Sequence, residues 1–327
     1  MRKFFTLLAL LIISITLAIS SGYAQKKLAQ TGFQFLSVSS DARASAMGEA
    51  FTTVEGQSSA LFHNPAGMAR LSSLVDVATN YASWIADIKH YSLCAAFNPA
   101  DGKYGVFGIS VMSVDYGEMQ GTMVWANPEG YIDTEIFSPQ ALAVGIGYAN
   151  ALTDRFAVGG QIKYAAQSLG KSVVPGEGVK KNLASAIAFD FGTVYRTGFK
   201  SLAFGMCLRN FSQEIKFEQE GFQLPLTFKI GISMDVLDLF MDIHEKQSLL
   251  VSIDAVHPRS YPEYVNLGTE YRFMDMLALR LGYISGHDEY GLNMGFGIQQ
   301  FGLAFNYAYT PFGHFNNVHR FTVRFLK

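Results

Sequence analysis

The 327-residue chain is poor in charge: Asp, Glu, Lys and Arg make up 16% of it, against about 25% in an average soluble domain. It has no excess of basic residues, with 25 Lys and Arg against 27 Asp and Glu. A pI of 6.4 offers no field for a phosphate backbone, which excludes nucleic acid as a partner. Proline is scarce at 9 residues, and the only cysteines are Cys94 and Cys207. After Gln25 no apolar run approaches the ~18 residues of a transmembrane helix. A mean hydropathy of only +0.16 is also too low for a chain of stacked apolar helices. What is abundant is aromatic and small: 27 Phe, 16 Tyr and 31 Gly, with 49% hydrophobic residues overall. High apolar content at low net charge excludes disorder. The combination suits a chain in contact with something other than water.

The first 24 residues read as an export signal. Arg2 and Lys3 precede an apolar run from Phe4 to Ile19, and Gly22-Tyr23-Ala24 places small residues at a cleavage site after Ala24. No Cys follows that site, so a lipoprotein is not expected. Loss of Arg2 and Lys3 leaves 23 basic against 27 acidic residues.

The body alternates with period two. Leu142, Val144, Ile146 and Tyr148 interleave with Ala143, Gly145, Gly147 and Ala149. Leu277, Leu279, Leu281 and Tyr283 alternate with Ala278, Arg280 and Gly282, and Phe301, Leu303, Phe305, Tyr307 and Tyr309 with Gly302, Ala304, Asn306 and Ala308. A helix would place apolar residues at i, i+3 and i+4, whereas strict alternation means a strand with unlike faces. A soluble sandwich would show solvated Lys, Glu and Thr on its second face. Here that face is Gly, Ala, Ser and Asn with single charges: Lys163, Asp190, Arg209, Lys229, Asp235, Asp254, Glu270, Arg272 and Arg280. That pattern fits the lumen of a barrel whose apolar face meets lipid. Pairing of the acids with Arg209, Lys229, Arg272 and Arg280 is the plain reading of these lumen charges. Tyr91, Tyr104, Tyr148, Tyr195, Tyr271 and Tyr309 fall toward strand ends, where interfacial girdles form.

About 14 strands are expected: 74–82, 90–98, 103–114, 138–149, 155–167, 184–196, 201–213, 225–237, 248–258, 264–273, 277–286, 290–299, 301–311 and 318–326. The fold class is all-β, a transmembrane antiparallel β-barrel. Connections after even-numbered strands are mostly short, and those after odd-numbered strands include the longest, about 114–137 and 167–183. Short turns on one rim and long loops on the other are the outer-membrane arrangement, which places the N-terminus on the periplasmic side. The link 239–247 is longer than that pattern explains. The final alternation of Phe321, Val323 and Phe325 puts the aromatic terminal signal of a barrel at Phe325.

Residues 30–70 lack alternation and are rich in small side chains. A short helix is expected within Asp41 to Phe51, capped by Ser40 or Asp41. An apolar-patterned segment ahead of a barrel is expected to fold into the lumen. The expected organisation is a signal peptide over 1–24, a plug or hatch over 25–72 and an outer-membrane barrel over 73–327. Asn64-Pro65-Ala66-Gly67 reads as a turn entering the first strand, with Gly67 free to take a positive φ, or as a gate.

Arg43-Ala44-x-Ala46-Met47-Gly48-x-Ala50-Phe51, with Ser59-Ala60-Leu61-Phe62-His63-Asn64-Pro65-Ala66-Gly67-Met68, resembles the N-terminal region of the PorV/PorQ family. Trp84-Ile85-Ala86-Asp87-Ile88 and Asp115-Tyr116-Gly117-Glu118-Met119 extend the resemblance, which is concentrated in residues 31–120. That family is related to the FadL-like 14-stranded barrels of bacterial outer membranes. The resemblance implies a secretion accessory of the type IX system, with a translocon barrel or the C-terminal signal domain of secreted cargo as partner. FadL-like proteins imply the alternative, a plugged-barrel transporter of hydrophobic small molecules. Arg43, Met47, Gly48, Phe51, Asn64, Pro65 and Gly67 are the candidate plug or gate residues.

Catalytic and metal patterns are weak, and neither an enzyme nor a cofactor is expected. Gly56-Gln57-Ser58-Ser59-Ala60 vaguely suggests a nucleophile elbow, which needs a strand before it and a helix after it. Cys94 and Cys207 fall on about the second and seventh strands, too far apart for a disulfide, and free thiols are expected. His314 and His319 show no metal spacing and read as solvated.

Overall fold

The computed structural model describes residues 31–174, 178–217, 220–240, 247–287 and 290–327. The signal-peptide expectation, and residues 25–30 of the following segment, lie outside the described residues. Fourteen strands form one closed antiparallel barrel. They are β1 (Val75–Ser83), β2 (Lys89–Phe97), β3 (Val106–Asp115), β4 (Gln140–Ala151), β5 (Phe156–Val174), β6 (Gly178–Arg196), β7 (Ala203–Ser212), β8 (Thr227–Asp235), β9 (Gln247–Pro258), β10 (Tyr264–Phe273), β11 (Leu277–Ile284), β12 (Leu292–Gln300), β13 (Leu303–Thr310) and β14 (Val318–Leu326). The barrel closes where β1 pairs with β14, from Asp76 opposite Leu326 to Ser83 opposite His319. All fourteen expected strands are present.

The two faces divide as the alternation requires. Leu142, Val144, Ile146 and Tyr148 of β4 are exposed, while Ala141, Ala143 and Ala149 of the same strand are buried. Large apolar side chains left in water would be costly around a whole barrel. In lipid they are in a matching solvent, and closure leaves no unpaired strand edge.

The long links contain structure that alternation did not reveal. Residues 114–137, expected as a loop, hold a hairpin of Met119–Val124 paired with Tyr131–Phe137. The expected loop 167–183 is instead largely strand, because β5 and β6 run on to Val174 and from Gly178. Their register shifts after Ser168, where Gly170 takes φ +98°. Asp235, taken as a lumen charge, caps the turn Val236–Leu239 at the end of β8 by accepting from the Leu237 N–H at 3.0 Å.

The two ends of the barrel meet on the short-turn rim, where Val75 and Lys327 exchange backbone hydrogen bonds of 2.9 and 3.0 Å. The chain ahead of β1 takes a different course from the one expected. Thr31 makes a parallel bridge to Gln223 in the link between β7 and β8, so residue 31 sits at the long-loop rim and not with the barrel ends. From there the chain descends through the interior to Leu71.

Candidate functional site: the filled lumen

Residues 33–71 are almost wholly buried, and glycines of the wall make room for them. Inward-facing glycines pair across neighbouring strands: Gly108 with Gly147, Gly159 with Gly192, Gly205 with Gly231, and Gly268 with Gly282. Each patch touches the N-terminal segment. A Cβ on Gly282 would lie 2.0 Å from the Gly48 nitrogen, and one on Gly268 would lie 2.4 Å from the Met47 carbonyl oxygen. At the other side of the barrel, Cβ atoms on Gly159 and Gly192 would lie 2.6 Å from Pro65 and 1.8 Å from Asn64. The small face of the strands is therefore a socket for backbone, which only glycine can provide at such distances.

The sequence-derived candidates fall into this socket. Helix α1 (Ala42–Ala46) is capped by Asp41, which accepts from the Arg43 N–H at 2.7 Å. It ends early because Gly48 and Glu49 both adopt φ +59°. Met47 is fully buried, and Phe51 packs edge-on against His63 at 5.1 Å. Asn64 caps the short 3₁₀ turn Pro65–Met68 by accepting from the Ala66 N–H at 3.1 Å. Its side-chain amide donates to the carbonyls of Thr52 at 2.6 Å and Thr193 at 3.1 Å. The turn reading of this motif holds, with one correction. Gly67 is not among the positive-φ residues. It lacks a side chain because a Cβ would lie 2.6 Å from the Val54 carbonyl oxygen.

The lumen charges mostly bind the segment or each other. Arg43 forks onto Glu270, with Nε–Oε2 at 2.8 Å and Nη2–Oε1 at 2.7 Å. Arg280 and Arg272 hold the same carboxylate at 2.6 and 2.9 Å. Among the described residues, Asp254 pairs with no cation within ion-pair distance. It accepts from the Phe51 and Thr52 N–H groups at 2.9 and 3.0 Å and from the Thr52 hydroxyl at 2.6 Å. Lys163 pairs with Asp190 at 2.7 Å. Arg209 and Lys229 lie in the wall near Leu36 and Glu49. Expectations for these charges thus hold for Glu270 with Arg272 and Arg280, while Asp190 takes Lys163 and Asp254 takes the N-terminal segment.

Three functional contacts escaped the sequence reading. Asp76 of β1 is fully buried, accepts from the Ser58 hydroxyl at 2.6 Å and pairs with Arg324 of β14. Arg320 holds the Ser39 carbonyl at 2.9 Å. Thr322 accepts from the Ala42 N–H at 2.9 Å. Arg320 and Thr322 alternate with the bulky Phe321 and Val323, but nothing in the chain names their partners, 281 and 280 positions away.

Other expectations resolve simply. Ser58 lies in the 3₁₀ turn Ser58–Phe62, so neither the strand nor the helix of a nucleophile elbow flanks it. Cys94 and Cys207 are buried free thiols on β2 and β7. His319 is not simply solvated: its Nδ1 shares a 2.8 Å hydrogen bond with the Tyr307 hydroxyl. His63 is buried, and among the described residues neither ring nitrogen has a hydrogen-bond partner. Burial, with Arg209 and Lys229 nearby, pushes its pKa well below the usual histidine value, so it is neutral in the fold.

One irregularity interrupts the wall. Between β6 and β7, Phe189 faces Phe211 and Phe191 faces Leu208, so Arg209 and Asn210 together oppose Asp190. Asn210 takes φ +60°. Its N–H donates to Asp190 at 2.7 Å, and its side-chain oxygen accepts from Lys163 at 2.7 Å. This is a β-bulge held by a buried polar cluster.

A closed fourteen-stranded barrel with an apolar outer wall and a filled polar interior is an outer-membrane protein of the FadL-like fold. The toluene transporter TodX of Pseudomonas putida superposes with a TM-score of 0.59 at 13% identity, over 92% of this chain and 98% of that one. The monoaromatic hydrocarbon channel CymD gives 0.57 at 11% identity, over 88% and 97%. A FadL homologue of Pseudomonas aeruginosa gives 0.50 at 13% identity, over 93% and 99%. At such identities the likeness is one of fold. No curated protein matches the chain. The family model described as "Type IX secretion system protein PorV" matches residues 21–256, and the chain belongs to that family. It is a type IX secretion barrel of the bacterial outer membrane.

Proposed function

We propose that the protein is an interaction partner in type IX secretion, in which residues 31–72 act as a fixed plug and the long-loop rim holds the translocon or the C-terminal signal domain of cargo. The observation that carries this reading is the density of bonds between the segment and the wall. Glu270 and Asp254, on the neighbouring strands β10 and β9, and Asp76 and Arg320, on the neighbouring strands β1 and β14, each bind it through a buried hydrogen bond or ion pair. A plug anchored at several points is expensive to move, because each broken contact strands a buried charge. The surface on which a partner docks is then outside the lumen. The hairpin 119–137 presents Val124, Trp125, Tyr131 and Ile136 to solvent, an apolar cluster suited to a protein interface. Crosslinked pull-down from native cells tests the proposal. Recovery of a large translocon barrel or secreted cargo supports it; recovery of neither, with hydrocarbon co-purified, contradicts it.

A second reading is transport of hydrophobic small molecules, as in the toluene transporter TodX and the monoaromatic hydrocarbon channel CymD. The bulge at Asp190 and Asn210 favours it, since a strand defect is where a sideways exit through the wall would form. Uptake of a radiolabelled aromatic hydrocarbon into vesicles containing the protein separates the two.

A further inference from the structure

Between the N-terminal segment and the long-loop rim lies a cavity of about 330 Å³ that the secretion role does not use. Among the described residues three cations line it, Arg209, Lys229 and Arg320, against one carboxylate, Glu49. Lys229 is 3% exposed, yet its ammonium comes no closer than 3.5 Å to the Glu49 carbonyl and 3.9 Å to the Glu49 carboxylate. Those distances are at or beyond the limit of a hydrogen bond. Arg209 donates once, to the Leu36 carbonyl at 3.2 Å, and its Nε is buried without an acceptor. Arg320 is satisfied by the Ser39 carbonyl, the Thr310 hydroxyl and the Trp84 ring at 5.1 Å, none of them charged. Buried cations need counter-charge or full hydrogen bonding. Among the described residues, Arg209 and Lys229 have donors in hand that find no close acceptor.

One side of the lining is aromatic, among polar residues such as Gln34, Asn210 and Asn293. Tyr264 packs on His287 at 5.0 Å and His287 stacks on Tyr290 at 4.6 Å, with Trp84 on the neighbouring wall. An inorganic anion would use the cations and leave these rings without a contact. We propose that the cavity binds a small organic carboxylate, its charged end on Arg209 and Lys229 and its apolar body against Tyr264 and Tyr290. The body is short. The apolar half of the lumen is packed with Phe33, Phe35 and Leu36, and the space beside Leu36, Leu61 and Met112 is about 20 Å³, too small for an acyl tail. The same chemistry is presented by a free acid and by the carboxyl end of a peptide entering from the surface.

The test uses the full chain in detergent with Trp125→Phe, which leaves Trp84 as its one tryptophan. Quenching of Trp84 is followed during titration with benzoate, benzamide, palmitate, and an N-acetyl dipeptide ending in Phe as its acid and as its amide. At least one short acid is expected to bind saturably and about tenfold tighter than its own amide, the worth of a charge-assisted bond. Lys229→Met and Arg209→Gln are each expected to remove that preference. Preference for benzoate alone assigns a free solute, and preference for the dipeptide acid alone assigns a chain end. Either supports the site. Equal binding of acid and amide, no binding of any acid, or tightest binding of palmitate overturns it. So does an unchanged preference in folded variants. The acid–amide comparison needs no variant at Arg209 or Lys229, so a failure of those substitutions to fold leaves the test intact.

Discussion

Arg43 and Glu270, 227 residues apart in the chain, share two hydrogen bonds of 2.8 and 2.7 Å inside the barrel. The pair joins the N-terminal segment to β10, and it is asymmetric. Glu270 is the common partner of Arg43, Arg272 and Arg280, whereas Arg43 has one carboxylate and the Gln57 side-chain oxygen.

That asymmetry orders two substitutions. Glu270→Gln leaves three arginines around an uncharged group and is expected to cost about 3–5 kcal/mol, as for a broken buried pair. Arg43→Met leaves Glu270 with two arginines and is expected to cost about 1–3 kcal/mol. Denaturant unfolding in detergent measures both. A larger loss for Arg43→Met would mean that Glu270 depends on the segment more than on the wall.

The glycine socket gives a second expectation. Gly282→Val forces side-chain atoms onto Met47 and Gly48, an overpacking cost of about 1–3 kcal/mol. The cost falls on the segment, because the wall has no freedom to retreat. Trypsin cleavage after Arg43 or Arg70 is expected in this variant and not in the parent. Leu281→Val, next in sequence but facing outward and exposed, is the control and is expected to leave the segment protected.

His63 makes stability depend on pH. Its pKa is depressed in the fold by burial, then by Arg209 and Lys229, so below about pH 6.5 the unfolded chain binds a proton that the folded chain does not. Its contribution is complete above that pH and is lost as pH falls from there toward the folded value. Each pH unit of that window removes at most about 1.4 kcal/mol. His63→Leu is expected to show a smaller loss of thermal midpoint between pH 7.5 and 5 than the parent, and an equal loss would contradict the assignment.

Much of the barrel was legible because lipid and lumen impose opposite demands on alternate residues, as at Leu142 to Ala149. The pattern failed where that contrast ends. Lys171 to Val174 and Gly178 to Lys181 continue β5 and β6 beyond the long-loop rim, outside the lipid that sets the contrast. The hairpin 119–137 is largely exposed on both faces and gave no alternation. In the lumen, Asp41 was readable as a helix cap because capping is local. The partners of Glu270, Asp254 and Asp76 were not, because strand closure and the path of a separate segment bring them together. Counting turns fixes the rim of β1 but not the course of the chain before it.

The most direct measurement concerns the surface hairpin. A chain lacking residues 119–137, joined by a short Gly-Ser turn, replaces the parent in the native host, and type IX cargo is quantified in the medium and the periplasm. The barrel itself is expected to reach the outer membrane and keep its heat-modifiable mobility, since the hairpin pairs only with itself. Cargo is expected to accumulate in the periplasm. Normal cargo release with the folded, shortened barrel would contradict the proposed role.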